Sequence, residues 1–327
     1  MFCQGSGQRG LIMLGDSATA HFHIPPQWLT AAGWNIDQLL PDAENELDQP
    51  GCSWGTGHLT PQQCPYQHPV EGVDGVLSIY SQLRQRNRCN SNDFQNIGVN
   101  GARITSSMGL VDAVARAQTD TPALVWLSLI GNDVCNGHAG FEHMTTPDAF
   151  YTAAMQTLSA LDAQLPKGSY VVALALFDGE LLYDTMHSLQ HPVGTTYDAF
   201  YSMMNCLEEN PCWGWLNSDP EVRANTTAIA HSLNAQYQLI ADTQSFTNFD
   251  FIFYSPDWLE IFTKHEAAGG RARDLIEPSD GFHPSQAGNA LFAQTFFAWL
   301  EGTHPEALGD VNPLNGEIDA LFPDLAL

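Results

Sequence analysis

The chain has 327 residues, of which 44% are hydrophobic and 15% are charged, a balance typical of a folded globular protein. Its 11 basic and 37 acidic residues give a net charge of −26, and nucleic acid is excluded as a partner because binding it needs clustered Lys and Arg. No apolar run approaches the length that spans a bilayer.

Apolar runs rich in β-branched and aromatic residues alternate with amphipathic stretches. The runs that predict strands are 11–14, 94–99, 123–130, 170–177 and 249–254. Strands that are apolar throughout are buried on both faces, as in a parallel sheet. The patterns that predict helices are 108–117, 147–165, 226–241 and 285–300. This alternation predicts a single α/β domain over 1–327, a three-layer doubly wound parallel sheet.

Two long stretches interrupt the alternation. Residues 35–75 are rich in Gly, Pro, Gln and Asp, and residues 178–220 carry Trp, Met, His, Pro and two cysteines. Because long connectors in a compact domain usually serve function, we expect these insertions to build or cover the substrate site. We expect the Pro- and Asp-rich tail, residues 302–327, to pack along the surface.

Seven cysteines bear on the compartment. None has Cys-x-x-Cys spacing, so zinc and thioredoxin-like chemistry are not expected. Cys52 and Cys64 flank one loop and Cys206 and Cys212 another, which suits disulfides in an oxidising compartment. We therefore expect a secreted or extracytoplasmic protein, although the N-terminus shows no signal peptide. The connectivity stays open, and the odd count leaves one thiol free or available to another chain.

A nucleophile and its base are indicated at opposite ends of the chain. Gly15-Asp16-Ser17 follows the first strand, where helix N–H groups favour negative charge. Asp280 stands three residues before His283 in one loop, so it can fix the imidazole tautomer while the other ring nitrogen faces Ser17. We expect Ser17, Asp280 and His283 to be catalytic, and Asp16 to order the turn through backbone hydrogen bonds. The alternative for the second segment is an ordinary Asp-Gly turn.

The expected oxyanion donors follow two other strands. Gly101 lies after 94–99 and Asn132 after 123–130, so both are predicted at the edge of the sheet that carries Ser17. We expect the Ser17 and Gly101 N–H groups and the Asn132 side chain to form an oxyanion hole. Each segment alone is typical of a turn.

Three further residues are candidates for substrate contact: His21, Phe22 and Arg103. Packing is the alternative for Phe22, and a solvated surface is the alternative for Arg103. His21 lacks the His and Glu partners that a metal site needs, so no metal site is predicted.

These segments resemble the four sequence blocks of the SGNH/GDSL hydrolases, at Ser17, Gly101, Asn132 and His283. More narrowly, the chain is similar to the catalytic part of acyloxyacyl hydrolases, on the stretches 14–18, 20–24, 95–97, 100–102, 130–135, 276–278 and 280–284. The resemblance implies a flavodoxin-like SGNH fold and a serine esterase that removes fatty acyl chains from the lipid A of lipopolysaccharide. It implies a lipid or glycolipid substrate and peripheral contact with a membrane or micelle.

The same resemblance implies a disulfide-linked saposin-like subunit and a calcium-binding segment ahead of the catalytic part. Only fourteen residues precede Gly15, so we expect neither segment in this chain, and a saposin-like partner would be a separate chain. The esterase chemistry itself requires no cofactor.

The sequence thus predicts a serine esterase acting on fatty acyl esters of lipopolysaccharide or phospholipids. Two alternatives stay open. One is a carbohydrate esterase that removes acetyl groups, and the other is a lipid-binding protein of the same fold without turnover.

Overall fold

The computed structural model describes residues 2–29, 47–60, 63–64 and 76–322, so much of the predicted 35–75 insertion lies outside the described residues. Its centre is a parallel sheet in the order β2-β1-β3-β4-β5. The strands are β1 Gly10–Gly15, β2 Phe94–Gly98, β3 Ala123–Ser128, β4 Ser169–Leu174 and β5 Phe249–Tyr254. All five predicted strands are confirmed, with shifted ends.

The two central strands are buried on both faces. Every residue of β1 and of β3 is buried, as their apolar sequences predict. β1 pairs with β2 on one side and with β3 on the other, so the chain winds outward from it in both directions. In open parallel sheets such a reversal leaves a crevice at the carboxyl ends of the two strands, which here are β1 and β3.

Helices connect the strands and cover both faces of the sheet. In the described ranges they are α1 Ser17–Ala20, α2 Ile79–Arg86, α3 Ser107–Asp112, α4 Pro147–Gln164, α5 Glu180–Met186, α6 Tyr197–Leu207, α7 Pro220–Thr243, α8 Trp258–Ala267, α9 Gln286–Thr303 and α10 Asn315–Leu321. Over those ranges, no helix has the length and apolar character needed to cross a bilayer.

Two predicted helices differ from the structure by more than three residues at one end. α7 begins at Pro220, earlier than the predicted 226, because Asp219 accepts a hydrogen bond from the Glu221 N–H and proline suits the first helical turn. The helix predicted over 108–117 is wrong beyond Asp112. The helix ends there, and the Arg116 guanidinium beyond it pairs with Asp93.

The interior forms two layers around the sheet. On one face the Trp126 ring of β3 stacks on Phe296 of α9 and lies edge to face with Trp54. On the other face Phe150 of α4 packs against Tyr237 of α7. Trp54 belongs to the predicted 35–75 insertion and is 2% exposed, so this part of the insertion contributes to the core. The predicted three-layer α/β fold is confirmed.

The C-terminal tail is anchored by a few buried side chains, while most of residues 302–322 are exposed or half-buried. Ala307 and Leu308 are buried in the main core, and Ile318 of α10 is also buried. The Arg88 guanidinium holds Asp319 of α10 at 2.7 Å. Residues 323–327 lie outside the described residues.

The disulfide pattern leaves Cys206 as the single free thiol among the seven cysteines. The pairs are Cys3–Cys89, Cys52–Cys64 and Cys135–Cys212. Cys206 lies on α6 and is exposed. Three disulfides suit an oxidising compartment.

We expect this chain, purified on its own without reductant, to react with one equivalent of iodoacetamide, because the other six sulfurs are covalently paired. Peptide mapping by mass spectrometry should place the label on Cys206, and the Cys206→Ser variant should take up none. Labelling of any other cysteine in the native protein would contradict this disulfide pattern.

Candidate active site

Ser17 is held at the carboxyl end of β1 by the carboxylate of Asp16. One oxygen of that carboxylate accepts the Ala18 N–H at 3.0 Å, and the other accepts the Ile130 N–H, beyond the end of β3, at 2.8 Å. The expected ordering role of Asp16 is therefore confirmed. Burial raises the pKa of Asp16 to about 6, and these N–H donors oppose the rise.

Two small features let the turn at Ser17 pack closely on the sheet. A Cβ on Gly15 would collide with the Thr19 side chain and the Ser128 carbonyl oxygen. The Thr19 and Ser128 hydroxyls lie 2.7 Å apart, which joins the four-residue helix α1 to β3. Ser17 therefore starts α1 with its backbone fixed against both central strands.

Ser17, His283 and Asp280 form a continuous hydrogen-bonded chain. The Ser17 Oγ lies 2.8 Å from Nε2 of His283, and Nδ1 of His283 lies 2.6 Å from Oδ2 of Asp280. The other Asp280 oxygen accepts the N–H groups of Phe282 and His283. With Nδ1–H donating to the carboxylate, Nε2 is free to accept the hydroxyl proton of Ser17.

The charges around His283 favour its protonated form. Burial alone would lower the pKa of His283, but the Asp280 carboxylate, then Asp16 and Glu277, raise it above its ordinary value. Burial likewise opposes ionisation of Asp280, but His283 and two backbone N–H groups hold the pKa of this carboxyl below its ordinary value. The pair is thus arranged so that the imidazole gains a proton easily while the carboxylate stays charged.

The predicted oxyanion donors occupy the same edge of the sheet. Asn132 lines one cavity together with Ser17 and His283. Gly101 lies in an exposed turn beyond β2, with φ of +75°. Two residues earlier in the chain, the Val99 N–H donates to the Gly15 carbonyl oxygen at the end of β1. Gly101 does not contribute to the described cavity lining, so its part in an oxyanion hole stays a prediction.

Two acidic residues that the sequence analysis did not assign support the site. Asp133 is fully buried and accepts the Ile104 N–H and the Thr145 hydroxyl, which ties the turn after β2 to the turn after β3. Its only signal was the Gly-Asn-Asp triplet. Glu277 pairs with His23 at 2.9 Å, and its N–H donates to the His283 carbonyl oxygen.

Two of the three candidate substrate contacts touch the triad: the His21 N–H donates to the Ser17 carbonyl oxygen, and the Phe22 ring packs on His283. The two ring centroids lie 4.8 Å apart. His21 is buried away from the cavity, and burial, together with His23, lowers its pKa to about 3, so it is neutral. Arg103 is partly exposed and donates to the His143 carbonyl oxygen. None of these three candidates is among the described residues that line the cavity.

The cavity beside Ser17 is apolar. The space it encloses, including the part open to solvent, is about 540 Å³. Its apolar lining residues are Ala18, Ile130, Phe177, Leu182, Trp215, Phe262, Leu275, Ile276, Phe282, Pro284 and Phe292. Leu182 and Trp215 belong to the predicted 178–220 insertion, where a substrate site was expected. An apolar chain bound here would have one end at the Ser17 hydroxyl.

The family profile described as GDSL-like Lipase/Acylhydrolase matches residues 11–296 of the chain. The chain belongs to this family. The match begins at β1 and ends in α9, so it includes the segments that carry Ser17, Asp280 and His283. All three residues of the hydrogen-bonded triad therefore lie within the part of the chain that matches the family.

Curated relatives of this acylhydrolase are acyloxyacyl hydrolases. The one from Mus musculus is 40% identical over 333 residues, and the one from Homo sapiens is 39% identical over 335 residues. Each alignment covers 99% of this chain and 56% of the relative, so the chain spans about half the length of these relatives. A solved lipase/acylhydrolase from Enterococcus faecalis is 10% identical, with a TM-score of 0.38, and covers 90% of this chain and 96% of its own.

We expect a fluorophosphonate probe to label Ser17 only when His283 is neutral. The labelling rate should fall as the pH drops through the raised pKa of His283, with a midpoint above its ordinary value of 6.5. Asp280→Asn removes the carboxylate that raises this pKa, so it should lower the rate about 10²- to 10⁴-fold and move the midpoint to lower pH. Gel fluorescence across pH 4 to 9 measures both quantities.

The matched control is Asp257→Asn, which changes an exposed helix-capping carboxylate on α8. Its labelling profile should overlay that of the wild-type protein. An Asp280→Asn profile that also overlaid the wild type would refute the assigned role of the Asp280–His283 pair.

Proposed function

We propose that this chain is a serine esterase that hydrolyses fatty acyl esters of a lipid through an acyl-enzyme on Ser17. The observation that carries the proposal is the Ser17–His283–Asp280 hydrogen-bonded chain at the wall of an apolar cavity. Family membership supports the reaction class, and the apolar lining of the cavity supports an acyl group of a lipid.

The geometry suits a two-step reaction. Nε2 of His283 takes the Ser17 proton as Oγ attacks the ester carbonyl carbon, and Asp280 stabilises the imidazolium. The negative oxygen is held by the Ser17 and Gly101 N–H groups and the Asn132 amide. The imidazolium then gives its proton to the leaving alkoxide. His283 next deprotonates water, which attacks the acyl carbon, and Ser17 recovers its proton as the fatty acid leaves.

The relatives indicate which ester this would be. Both are named acyloxyacyl hydrolases. We extend that activity to this chain as a proposal: it removes acyl groups esterified to the hydroxyl of another fatty acid, as in lipid A, or acyl groups of phospholipids. An acetyl group is too small to contact most of the apolar residues that line this cavity. We therefore prefer a lipid ester to an acetylated polysaccharide as the substrate.

A second chain is part of the proposal. Cys206 is exposed on α6 beside the half-exposed Met203 and the more exposed Leu207. An accessible thiol within an apolar patch suits a disulfide to a partner, which we propose is a separate saposin-like subunit that presents the lipid. The three disulfides support a secreted or extracytoplasmic protein that meets membranes or micelles at their surface.

The reaction as proposed needs no cofactor. In the ranges described, no group of three or more His, Cys, Asp or Glu side chains is suited to hold a metal ion. The calcium-binding segment that the family resemblance implies stays an expectation, and the proposed steps use only side chains and N–H groups of this chain.

The Ser17→Ala variant should lose hydrolysis by at least about 10³-fold, because the attacking oxygen is gone while the fold is unchanged. Mass spectrometry of fatty acids released from lipopolysaccharide and from phospholipid micelles measures the loss and identifies the substrate. The control is Ser245→Ala, an exposed serine after α7, which should match the wild type. Release of acetate but of no longer acid by the wild type would favour an acetyl esterase, and lipid binding without any release would favour a silent binding protein.

The cavity predicts an acyl-length dependence. Leu182→Trp should narrow the cavity, so kcat/KM for p-nitrophenyl palmitate should fall about 10- to 100-fold more than for the butyrate. Leu259→Trp, at a 63% exposed position on α8, is the matched control and should preserve the wild-type ratio. An equal loss on both esters in Leu182→Trp would show that acyl chains bind elsewhere.

A further inference from the structure

Three side chains before and along α6 hold the loop that carries Asp280. Each donates a hydrogen bond to a main-chain carbonyl oxygen of that loop: Tyr197 to Pro278 at 2.6 Å, His191 to Ser279 at 3.0 Å and Tyr201 to Gly281 at 2.9 Å. The loop is irregular backbone, so its carbonyl oxygens have no ladder partners and depend on such donors. The two tyrosine hydroxyls and the imidazole supply them from one short segment.

The three donors are fixed in their donating forms. Burial raises the pKa values of Tyr197 and Tyr201, so both hydroxyls stay protonated. Burial lowers the pKa of His191, and its Nδ1 accepts the Val193 N–H, so the proton of the neutral ring lies on Nε2. The His191 ring also stacks on Phe200 at 3.9 Å, which fixes its plane.

Tyr201 acts on the peptide unit that binds Asp280. The Gly281 carbonyl that accepts its hydroxyl belongs to the same planar unit as the Phe282 N–H. That N–H donates to Oδ1 of Asp280 at 2.8 Å. The Tyr201 hydroxyl thus orients the Gly281–Phe282 peptide plane, and the N–H on the other side of this plane orients the Asp280 carboxylate. Hydrogen bonds linked in this way polarise one another.

The fit between Tyr201 and the loop is close. Gly281 has φ of +66°, and a Cβ there would lie 2.2 Å from the Tyr201 hydroxyl oxygen and 2.9 Å from the Tyr197 ring. The loop can therefore approach these rings only with glycine at this position. Tyr201 is 1% exposed and does not line the apolar cavity, so it meets the loop but not an acyl chain.

We propose that Tyr201, assisted by Tyr197 and His191, is a positioning residue that sets the Asp280 carboxylate and, through it, the imidazole of His283. This inference rests on the proposed esterase function. In this proposal, side chains of α6 keep the Asp280–His283 pair correctly placed relative to Ser17.

The test is Tyr201→Phe, which removes one oxygen atom and leaves the ring. We expect kcat for p-nitrophenyl butyrate to fall about tenfold, since a misplacement of about 1 Å in catalytic geometry costs about 10²-fold and two of the three donors remain. KM should change less than twofold, because Tyr201 is not on the cavity wall. With Asp280 less well placed, the pKa of His283 should fall, and the acid limb of the kcat profile should move to lower pH.

The other charged and titratable groups that act on His283 stay in place in this variant, namely Asp16, Glu277 and His21. The shift of the acid limb therefore reports on Asp280. Tyr183→Phe is the matched control, since Tyr183 is also buried but donates its hydroxyl to Asp198 and not to the loop. It should keep the wild-type kcat and acid limb.

The outcomes separate the two proposals. A wild-type protein that neither reacts with a fluorophosphonate nor cleaves the ester contradicts the esterase function itself. An active wild type with Tyr201→Phe indistinguishable from Tyr183→Phe overturns the positioning role alone. A loss of kcat with an unmoved acid limb also overturns it, since this is what general loosening of the fold would produce. If Tyr201→Phe fails to fold, Tyr197→Phe is measured against the same criteria.

Discussion

The site depends first on the carboxylate of Asp16, which binds one backbone N–H at the start of α1 and another beyond the end of β3. The strands β1 and β3 lie side by side, and Ser17 and Asn132 follow their ends. A single side chain, that of Asp16, therefore fixes the nucleophile and the Asn132 turn relative to each other. Burial makes the charge of Asp16 costly, as its raised pKa shows, and the N–H donors offset part of that cost. The second restraint is Asp133, which joins the turn after β2 to the same edge.

Much of the fold and the triad could be predicted from the sequence because their signals are local. A strand buried on both faces is apolar at every position, and 11–14 and 123–130 stand out for this reason. Ser17 directly follows the first such run, and Asp280 and His283 lie three residues apart in one loop. The parallel topology then requires these segments to meet at one edge, which is where the structure places them.

The remaining features depend on contacts between residues distant in the chain. Tyr201 and Gly281 are 80 residues apart, and no local pattern at either position indicates that they meet. The buried position of Trp54 and the pairing of Cys135 with Cys212 are decided by packing in the same way. The composition of residues 178–220 predicts an irregular insertion, whereas the structure places the helices α5 and α6 there. Their roles beside the cavity and the Asp280 loop depend on contacts with residues far away in the chain.

The scarcity of basic residues decides how charge is handled at the site. The chain has 11 Lys and Arg against 37 Asp and Glu, and Arg88 and Arg116 already pair with acidic partners far from the triad. No Lys or Arg stands among the described residues that line the cavity. Negative charge that develops on an ester oxygen there can therefore be met only by fixed N–H dipoles and by the transient imidazolium of His283. Fixed dipoles stabilise a charge only when they point at it and are accurately placed, so a site without cations requires rigid turns. Asp16, Asp133 and the α6 donors all act on turns, and this is the reason that the support of the site is so much more extensive than the triad itself.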